Sequence, residues 1–430
     1  MAVTWRAVAL AALAVPLVLL FPATGTVLVW VLVVVAACVL DAALAASPRR
    51  VAVERAVPAS VRLTQRAAST LTLTNLGPRR LRGLVRDAWP PSAGASPSRH
   101  AVDVPADEAR RVTTTLVPTR RGDRVADRVT IRTTGPLGLA GRQASVPVPG
   151  RLRVLPEFAS RRHLPSRLAR LRELDGRAAV QVRGPGTEFD SLREYVVGDD
   201  VRAIDWRATA RRGDVVVRTW RPERDRRVLV VVDAGRTAAV RVLDAPRLDA
   251  SIEAALLLGA LASHAGDRVE LLAYDRRVRA RVAGTGAPRL MAGLADALAT
   301  VDAELVETDW SGVVAHVRER LSQRALVVLL TALDPAAVEQ GLLGVVGQLT
   351  ARHQVVLASV ADPEVAELRA ARDDAAAVFD AAAAERVGLE RQAVATRLRQ
   401  RGVEVLEALP DELAPRLADT YLALKATGRL

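Results

Sequence analysis

The sequence is nearly without cysteine, lysine and aromatic residues. Its one cysteine, Cys38, excludes a disulfide within the chain and any zinc or iron–sulfur site built on cysteines. The five histidines are scattered and lack the spacing of metal ligands. Lys425 is the one lysine among 61 basic residues, and aromatic residues make up 3% of the chain. These shortages argue against most metal- and thiol-dependent enzyme classes.

The sequence is rich in hydrophobic residues and in arginine. Half of its 430 residues are hydrophobic, enough for two or three domains with large cores. Between Arg49 and Arg227 there are 37 arginines against 19 acidic residues, so the basic excess lies in this part of the chain. Such a region suits membrane lipid or an acidic partner. Nucleic acid is not expected, because stacking aromatics and binding motifs are missing.

A long uncharged run near the start predicts a membrane hairpin, residues 1–47. Ala7–Leu40 holds 34 residues without a charge, too many for one spanning helix of roughly 20 and suited to two. Pro22–Gly25 supplies a turn, which predicts helices over Val3–Phe21 and Thr26–Ala46. The alternative is a cleaved signal peptide, but no small-x-small site precedes the second apolar run.

Charge predicts the orientation of this hairpin. Arg6 precedes it, and Arg49, Arg50 and Arg55 follow it. The positive-inside tendency places both ends, and the domains downstream, in the cytoplasm. The expectation is a multi-pass protein of the cell membrane.

Residues 48–155 are predicted to form a β-sandwich of immunoglobulin-like size. Stretches such as Ala68–Asn75 and Arg128–Thr134 alternate apolar and polar residues between turn signals. Two Arg-Gly-Asp triplets, at 121–123 and 212–214, are interpreted as turns and not as adhesion motifs.

Residues 226–430 are predicted to form a doubly wound α/β domain with a mostly parallel sheet. Val228–Val232 is a fully apolar strand, and further apolar strands alternate with helical stretches after it. Pro335–Arg352 and most of Val365–Arg401 are predicted to be helical. Sites in such sheets form at the carboxyl ends of strands, here between the strands that end at Asp233 and at Thr331.

The loop Asp233–Thr237 resembles the metal-ion-dependent adhesion site of von Willebrand factor A domains, which reads Asp-x-Ser-x-Ser. Asp233 and Thr237 offer the oxygen ligands that a hard cation such as Mg²⁺ needs. The resemblance implies two more ligands, a Thr from a second loop and an Asp after the fourth strand. Thr285 and Asp334 are the candidates for them.

This predicted site is degenerate. Gly235 has no hydroxyl, and Ala332 stands where the second carboxylate is expected. The alternative is that Asp233 only caps a helix or accepts hydrogen bonds in a fold that has lost its ion.

The region before the α/β domain, residues 156–225, holds a longer motif. Residues 184–211 read GPGTEFDSLREYVVGDDVRAIDWRATAR. This motif resembles the signature of the bacterial domain of unknown function 58 family, and the whole chain resembles that family's order of hairpin, β-rich region, signature and von Willebrand A-like domain. The resemblance implies a MoxR-type AAA+ ATPase as partner, and an adaptor role in protein-complex or envelope assembly.

The polar residues of this signature allow three interpretations. Alternating aspartates and arginines, with Trp206 and Tyr195 as buried anchors, would hold a loop through ion pairs. A partner-binding surface would use Arg193, Glu194, Asp199, Asp200, Asp205, Trp206 and Arg211. A catalytic pair would join Glu194 to Asp199 or Asp200.

The sequence therefore predicts a non-enzymatic, membrane-anchored adaptor. The alternatives are a metal-assisted hydrolase centred on Asp233, with Glu194 or Asp199 as base, and a lipid-surface-binding module. Gly184-x-Gly186 lacks the Lys-Ser/Thr of a phosphate-binding loop, so the chain is not expected to hydrolyse nucleotide itself.

Overall fold

The computed structural model describes residues 2–181, 188–221, 226–284 and 287–430. The chain forms two compact units, one ending at Glu157 and the other beginning at Phe158. The division lies close to the predicted boundary after residue 155, and the described signature residues cluster with the second unit.

The first unit contains apolar helices and two β-sheets. Its elements are β1 (Ala2–Val3), α1 (Trp5–Ala12), α2 (Ala14–Leu20), α3 (Thr24–Leu44), β2 (Val51–Ala56), β3 (Ser60–Arg62), β4 (Ala67–Asn75), β5 (Leu81–Asp87), β6 (Ala95–Ser96), β7 (Arg99–Val104), β8 (Ala109–Leu116), β9 (Gly122–Thr134) and β10 (Ala140–Leu155). One sheet has the order β1-β10-β9-β5-β7, with β3 against β10, and the other β2-β4-β8-β6. Fully buried side chains of both sheets, such as Leu71, Val85 and Ile131, share one core. The two sheets thus pack as a β-sandwich.

A buried ion pair joins the two sheets. Arg55 of β2 donates from Nη2 to Oδ1 of Asp87 at the end of β5, over 2.6 Å, and both side chains are buried. Oδ2 of Asp87 accepts from Ser69 Oγ at 2.8 Å and from Trp89 Nε1 at 2.9 Å. Both carboxylate oxygens therefore have donors, which the burial of a charge requires.

Among the described helices, α3 is the one long and apolar enough to cross a membrane. The candidate span Thr24–Arg50 has a mean hydropathy of 2.8 and is 17% buried, whereas the core helix of a soluble domain is mostly buried. The 21 residues of α3 extend over about 30 Å, the thickness of a bilayer core.

The first predicted helix is shorter than expected and interrupted. Helices α1 and α2 together cover Trp5–Leu20, and the break lies at Leu13. Pro16 explains the break, because it has no N–H to donate to the carbonyl of Ala12 and its ring crowds that carbonyl.

Both ends of this helical pair are fixed to the turn between β9 and β10. At the first end, β1 pairs with β10, and Thr4 Oγ1 donates to the carbonyl of Gly138 at 2.6 Å. At the other end, the buried carboxylate of Asp41, near the end of α3, accepts from three main-chain N–H groups of the turn. These belong to Leu137, Leu139 and Ala140, at 2.7–2.9 Å.

The second unit contains a six-stranded sheet with helices on both faces. Its elements are α4 (Leu164–Gln181), β11 (Glu188–Glu194), α5 (Trp206–Arg212), β12 (Val216–Arg221), β13 (Arg227–Asp233), β14 (Arg241–Val242), β15 (Ala245–Pro246), α6 (Arg247–His264), β16 (Arg268–Tyr274), β17 (Val278–Gly284), α7 (Ala287–Ala299), α8 (Trp310–Arg320), β18 (Leu326–Leu330), α9 (Pro335–Ala337), α10 (Leu343–Thr350), β19 (Gln354–Val360), α11 (Pro363–Ala370), α12 (Ala375–Gln400), β20 (Val403–Ala408) and α13 (Pro410–Ala426). The sheet order is β17-β16-β13-β18-β19-β20, and only β16 and β17 pair antiparallel.

The alternation of side chains along β13 explains why both faces are covered. Val228, Val230 and Val232 pack with α6 and α13, whereas Leu229 and Val231 pack with α8 and α10. The chain runs from β13 to β16 on one side and later returns to β18 on the other. The strand order therefore reverses between β13 and β18, and a crevice forms at their carboxyl ends.

Two helical stretches differ in detail from their predictions. A π-helical turn, Val338–Leu342, separates α9 from α10. The stretch Val365–Arg401 contains two helices, because Asp374 caps a new one by accepting from the N–H of Ala377 at 2.7 Å.

We expect Asp41→Ala to loosen the turn between β9 and β10. Three N–H groups lose their acceptor, and the buried one, that of Ala140, costs about 1–3 kcal/mol when it is left unpaired. Hydrogen exchange of the full chain in detergent should show faster exchange at residues 137–140, with a lower melting temperature. Asp41→Asn, which keeps one carbonyl oxygen, is the matched control with a smaller effect. Unchanged exchange at the turn in Asp41→Ala would contradict this role.

Asp123 should make the stability of the sandwich depend on pH. Hydrogen bonds from Arg151 and Arg153 lower the pKa of Asp123 to about 2. A folded pKa below the unfolded value of about 3.9 stabilises the fold above that value, and this contribution is lost as the pH falls towards 2. Asp123→Asn should therefore be less stable than the wild type at pH 6 in urea unfolding, and the gap should shrink below pH 4. A gap that is constant with pH would exclude this linkage.

Candidate functional site

Asp233 lies at the carboxyl end of β13 and is 3% exposed. The strand before it is buried along its length, so the carboxylate is fixed at the edge of the sheet. The loop that follows turns at once into a 3₁₀ helix, Arg236–Ala238, which brings the hydroxyl of Thr237 back towards Asp233.

Four donors saturate the Asp233 carboxylate. Its Oδ1 accepts from the N–H of Gly235 at 2.8 Å and from the hydroxyl of Thr308. Its Oδ2 accepts from Thr237 Oγ1 at 3.1 Å and from Thr331 Oγ1 at 2.5 Å. Three loops that follow or flank different strands thus converge on one buried charge.

The structure brings together only part of the predicted ligand set. Asp233 and Thr237 are in contact, whereas Thr285 lies outside the described residues. The Asp334 carboxylate does not line the cavity at Asp233, and it caps α9 by accepting from the N–H of Ala337 at 2.8 Å.

Sequence reasoning missed Thr308 and the role of Thr331. Thr308 stands 75 positions after Asp233, in the loop that leads to α8, and no motif marks it. Thr331 directly follows the apolar strand β18. Its position at the carboxyl end of a strand could have identified it as a residue of the crevice.

The position of Thr308 explains the glycine at 235. A methyl group on Gly235 would lie 2.3 Å from the hydroxyl oxygen of Thr308 and 2.9 Å from the carbonyl oxygen of Val306. The hydroxyl of Thr308, which comes from another loop, therefore lies where a side chain at position 235 would lie.

A small, partly open cavity lies beside Asp233. Its volume of about 10 Å³ is close to that of one water molecule. The described residues hold no group of three or more His, Cys, Asp or Glu side chains that could bind a metal. Arg236 lines the cavity too, and its pKa is raised by the ion pair with Glu307. The arrangement suits one water beside a carboxylate that already accepts four hydrogen bonds.

Ion pairs join the antiparallel strands β11 and β12 to the segment that connects them. Arg193 binds both carboxylate oxygens of Asp199, at 2.7 and 2.6 Å. Asp205 caps α5 and also accepts from Arg218 Nε at 2.8 Å. The hydrogen bond from the N–H of Ala208, then the one from Arg218, lowers the pKa of Asp205.

The remaining signature residues lie around these pairs. Glu194 ends β11 opposite Val216, and Asp200 accepts from the N–H of Arg202 at 2.9 Å. Arg211 lies in the last turn of α5. Trp206, expected as a buried anchor in one interpretation, is instead 65% exposed.

Three exposed valines precede Trp206 in the same short segment. Val197 is 95% exposed, and Val196 and Val201 are each 61% exposed. We call these three valines and Trp206 the Trp206 surface. Large exposed apolar side chains grouped in one short segment are typical of interaction sites.

Substitutions at Gly235 and Thr308 should have non-additive effects on the free energy of unfolding. Gly235→Ser alone should lower the free energy of unfolding by about 1–3 kcal/mol through overpacking, and Thr308→Ala alone by about 1 kcal/mol through a lost hydrogen bond. In the double variant the serine takes the space and the hydrogen bond of Thr308, so the loss should be smaller than the sum. Chemical denaturation of the four proteins measures this coupling.

Gly344→Ser is the control, since nothing lies within 4 Å of a side chain at that helical position. If the losses of the two single variants simply add in the double variant, the serine at 235 does not replace the hydroxyl of Thr308. A Gly235→Ser protein as stable as the wild type would also contradict this prediction.

Comparisons with known proteins agree with the signature. Uncharacterized proteins of Mycobacterium tuberculosis and Mycobacterium bovis are each 30% identical over 195 residues, which is 44% of this chain and 59% of theirs. The chain thus spans less than two thirds of the curated relatives it matches.

Two solved structures share a local likeness. The CARDB domain of the PF1109 protein from Pyrococcus furiosus, in complex with di-metal ions, has 19% identity and a TM-score of 0.16, covering 23% of this chain and 91% of that one. A FixG-related protein from Vibrio parahaemolyticus has 12% identity and a TM-score of 0.17, covering 24% and 96%. Residues 191–404 match the family described as protein of unknown function DUF58, which confirms the resemblance carried by the signature motif.

Proposed function

We propose that this protein is a membrane-anchored adaptor without catalytic activity of its own, which binds a MoxR-type AAA+ ATPase and connects it to client proteins. The observation that carries the proposal is the Trp206 surface, in which a tryptophan 65% exposed shares one short segment with three exposed valines. Tryptophan and arginine dominate the binding energy of many protein interfaces. Because the surface lies in the family signature, its partner is expected to be common to the family.

Two ion pairs formed by aspartates of the same segment support a binding role. Arg193 with Asp199, and Asp205 with Arg218, stabilise the segment before any partner arrives. A preorganised surface loses less conformational entropy on binding than a flexible one. The same pairs weigh against the hydrolase alternative, since an aspartate that accepts from an arginine is a weak base.

We further propose that the second unit is a von Willebrand A-like domain that has exchanged its cation for hydrogen bonds. Its mostly parallel sheet, with helices on both faces and a polar cluster at the end of β13, supports this assignment. Asp233, with donors on both oxygens, has little capacity left for a metal or for proton transfer. Partner binding should therefore not need a divalent cation.

The anchor is proposed to be a hairpin of α1–α2 and α3 in the cell membrane. The ends of this pair meet at the same turn, which suits two antiparallel spans of one bilayer. Arg6 before the pair, and Arg49 and Arg50 after it, favour the cytoplasm for both ends and for the two units.

The test is affinity capture of the tagged full-length protein from native membranes, with mass spectrometry of what binds. The wild type should recover an AAA+ ATPase, equally with and without EDTA. Trp206→Ala should reduce the recovery about tenfold or more, as expected for the loss of an interface hot spot. The matched control is Phe379→Ala on α12, which removes another exposed aromatic side chain, 77% exposed, from the same unit.

Full recovery by Trp206→Ala would exclude this surface. If the ATPase is no longer captured in the presence of EDTA, the interface needs a divalent cation. If the wild type recovers no AAA+ ATPase at all, the proposed partner is wrong.

A further inference from the structure

A cleft of about 320 Å³ opens in the first unit at the point where α3 ends. We call it the helix-end cleft. It is lined by Ala45, Ala46, Ser47, Arg50, Gly77, Pro78, Arg79 and Arg142. The last turns of α3 still expose apolar side chains, with Leu40 at 56% and Leu44 at 42%. With α3 in a bilayer, the cleft begins one residue beyond the last lipid-facing side chain, at the level of the headgroups.

Three arginines from separate parts of the chain meet in this cleft. Arg50 ends the 3₁₀ helix after α3, Arg79 lies between β4 and β5, and Arg142 belongs to β10. Within the described residues, none of the three forms an ion pair with a carboxylate. Asp41, in the last turn of α3, does not line the cleft, since its carboxylate binds the N–H groups of the turn between β9 and β10. The cleft therefore concentrates uncompensated positive charge.

Main-chain carbonyls at the end of α3 fix two of these guanidinium groups. Arg79 Nη1 donates to the carbonyl of Ala43 at 2.7 Å, and Arg142 Nη2 donates to the same oxygen at 3.3 Å. Arg142 Nε also donates to Ala42 at 2.9 Å. These contacts satisfy helix-end carbonyls and leave other N–H groups of both side chains without a described acceptor.

Helix capping does not explain Arg50. Its side chain makes no described hydrogen bond, and its stem lies against the loop at Gly77, where an added methyl would be 3.6 Å from Arg50 Cβ. The hydroxyl of Ser47 likewise makes no capping hydrogen bond to the 3₁₀ helix that follows it. A guanidinium and a hydroxyl are thus available in a concave site that already holds two further guanidinium groups.

We propose that the helix-end cleft binds the phosphate of an anionic phospholipid headgroup. Planar guanidinium groups match phosphate oxygens in pairs, and several of them favour a headgroup with net negative charge over a zwitterionic one. A bound headgroup would fix the depth of α3 and so the position of the β-sandwich at the membrane. This inference rests on the proposed membrane anchoring.

The test is native mass spectrometry of the full-length protein in detergent, titrated with phosphatidylglycerol, phosphatidylcholine or inorganic phosphate. The wild type should bind phosphatidylglycerol about tenfold more tightly than phosphatidylcholine, and Arg50→Gln should lose about tenfold of that affinity. Its melting temperature in detergent without lipid should not change, because the Arg50 side chain supports no described hydrogen bond.

Arg49→Gln is the matched control, because it removes the same charge at the neighbouring position, outside the cleft. An equal loss in Arg49→Gln would show general attraction to charge and overturn the site. Equal binding of phosphatidylcholine, or displacement of the lipid by equimolar inorganic phosphate, would also overturn it. Alkaline carbonate extraction of native membranes tests the anchoring separately: release of the wild type would disprove the membrane span, whereas the detergent titration reports on the cleft.

Discussion

A buried carboxylate must find a donor for each of its oxygens, and this constraint organises both units. Asp41 joins the end of α3 to a β-turn, Asp87 joins the two sheets of the sandwich, and Asp233 joins three loops at the edge of the parallel sheet. An unpaired charge in any of these places would cost several kcal/mol. Main-chain N–H groups, hydroxyls, one arginine and the indole of Trp89 meet this demand, so each aspartate determines the local path of the chain around it.

The same constraint decides what the crevice at Asp233 can do. A carboxylate with open lone pairs can act as a ligand or a base, whereas the Asp233 carboxylate already accepts four hydrogen bonds. Gly235 and Thr308 show how the saturated state is built, because the absence of one side chain makes room for the hydroxyl of the other. These hydrogen bonds support a structural role for Asp233, so the proposed function is placed on the exposed apolar side chains of the signature segment.

The sequence was informative where a pattern is local. The apolar run Val228–Val232, bounded by charges, predicts a buried parallel strand, and the uncharged run before Asp41 predicts apolar helices. It was uninformative where side chains from distant positions converge. Thr308 reaches Asp233 across 75 residues, and Arg50, Arg79 and Arg142 look like three members of a general basic excess until the fold brings them together. Such convergence depends on strand order and on the paths of the loops, which cannot be deduced from local residue patterns.

The connection between α3 and the sandwich has a mechanical consequence. Helix α3 ends at Leu44 and β2 begins at Val51, and the 3₁₀ helix Pro48–Arg50 occupies most of the gap. Asp41 binds the turn between β9 and β10 from within the helix, and β1 extends the same sheet at the other end of the helical pair. A flexible connection would let the sandwich reorient relative to α3. Here both ends of the helical pair are bound to the sandwich, one through β1 and the other through Asp41. The orientation of α3 therefore determines that of the sandwich.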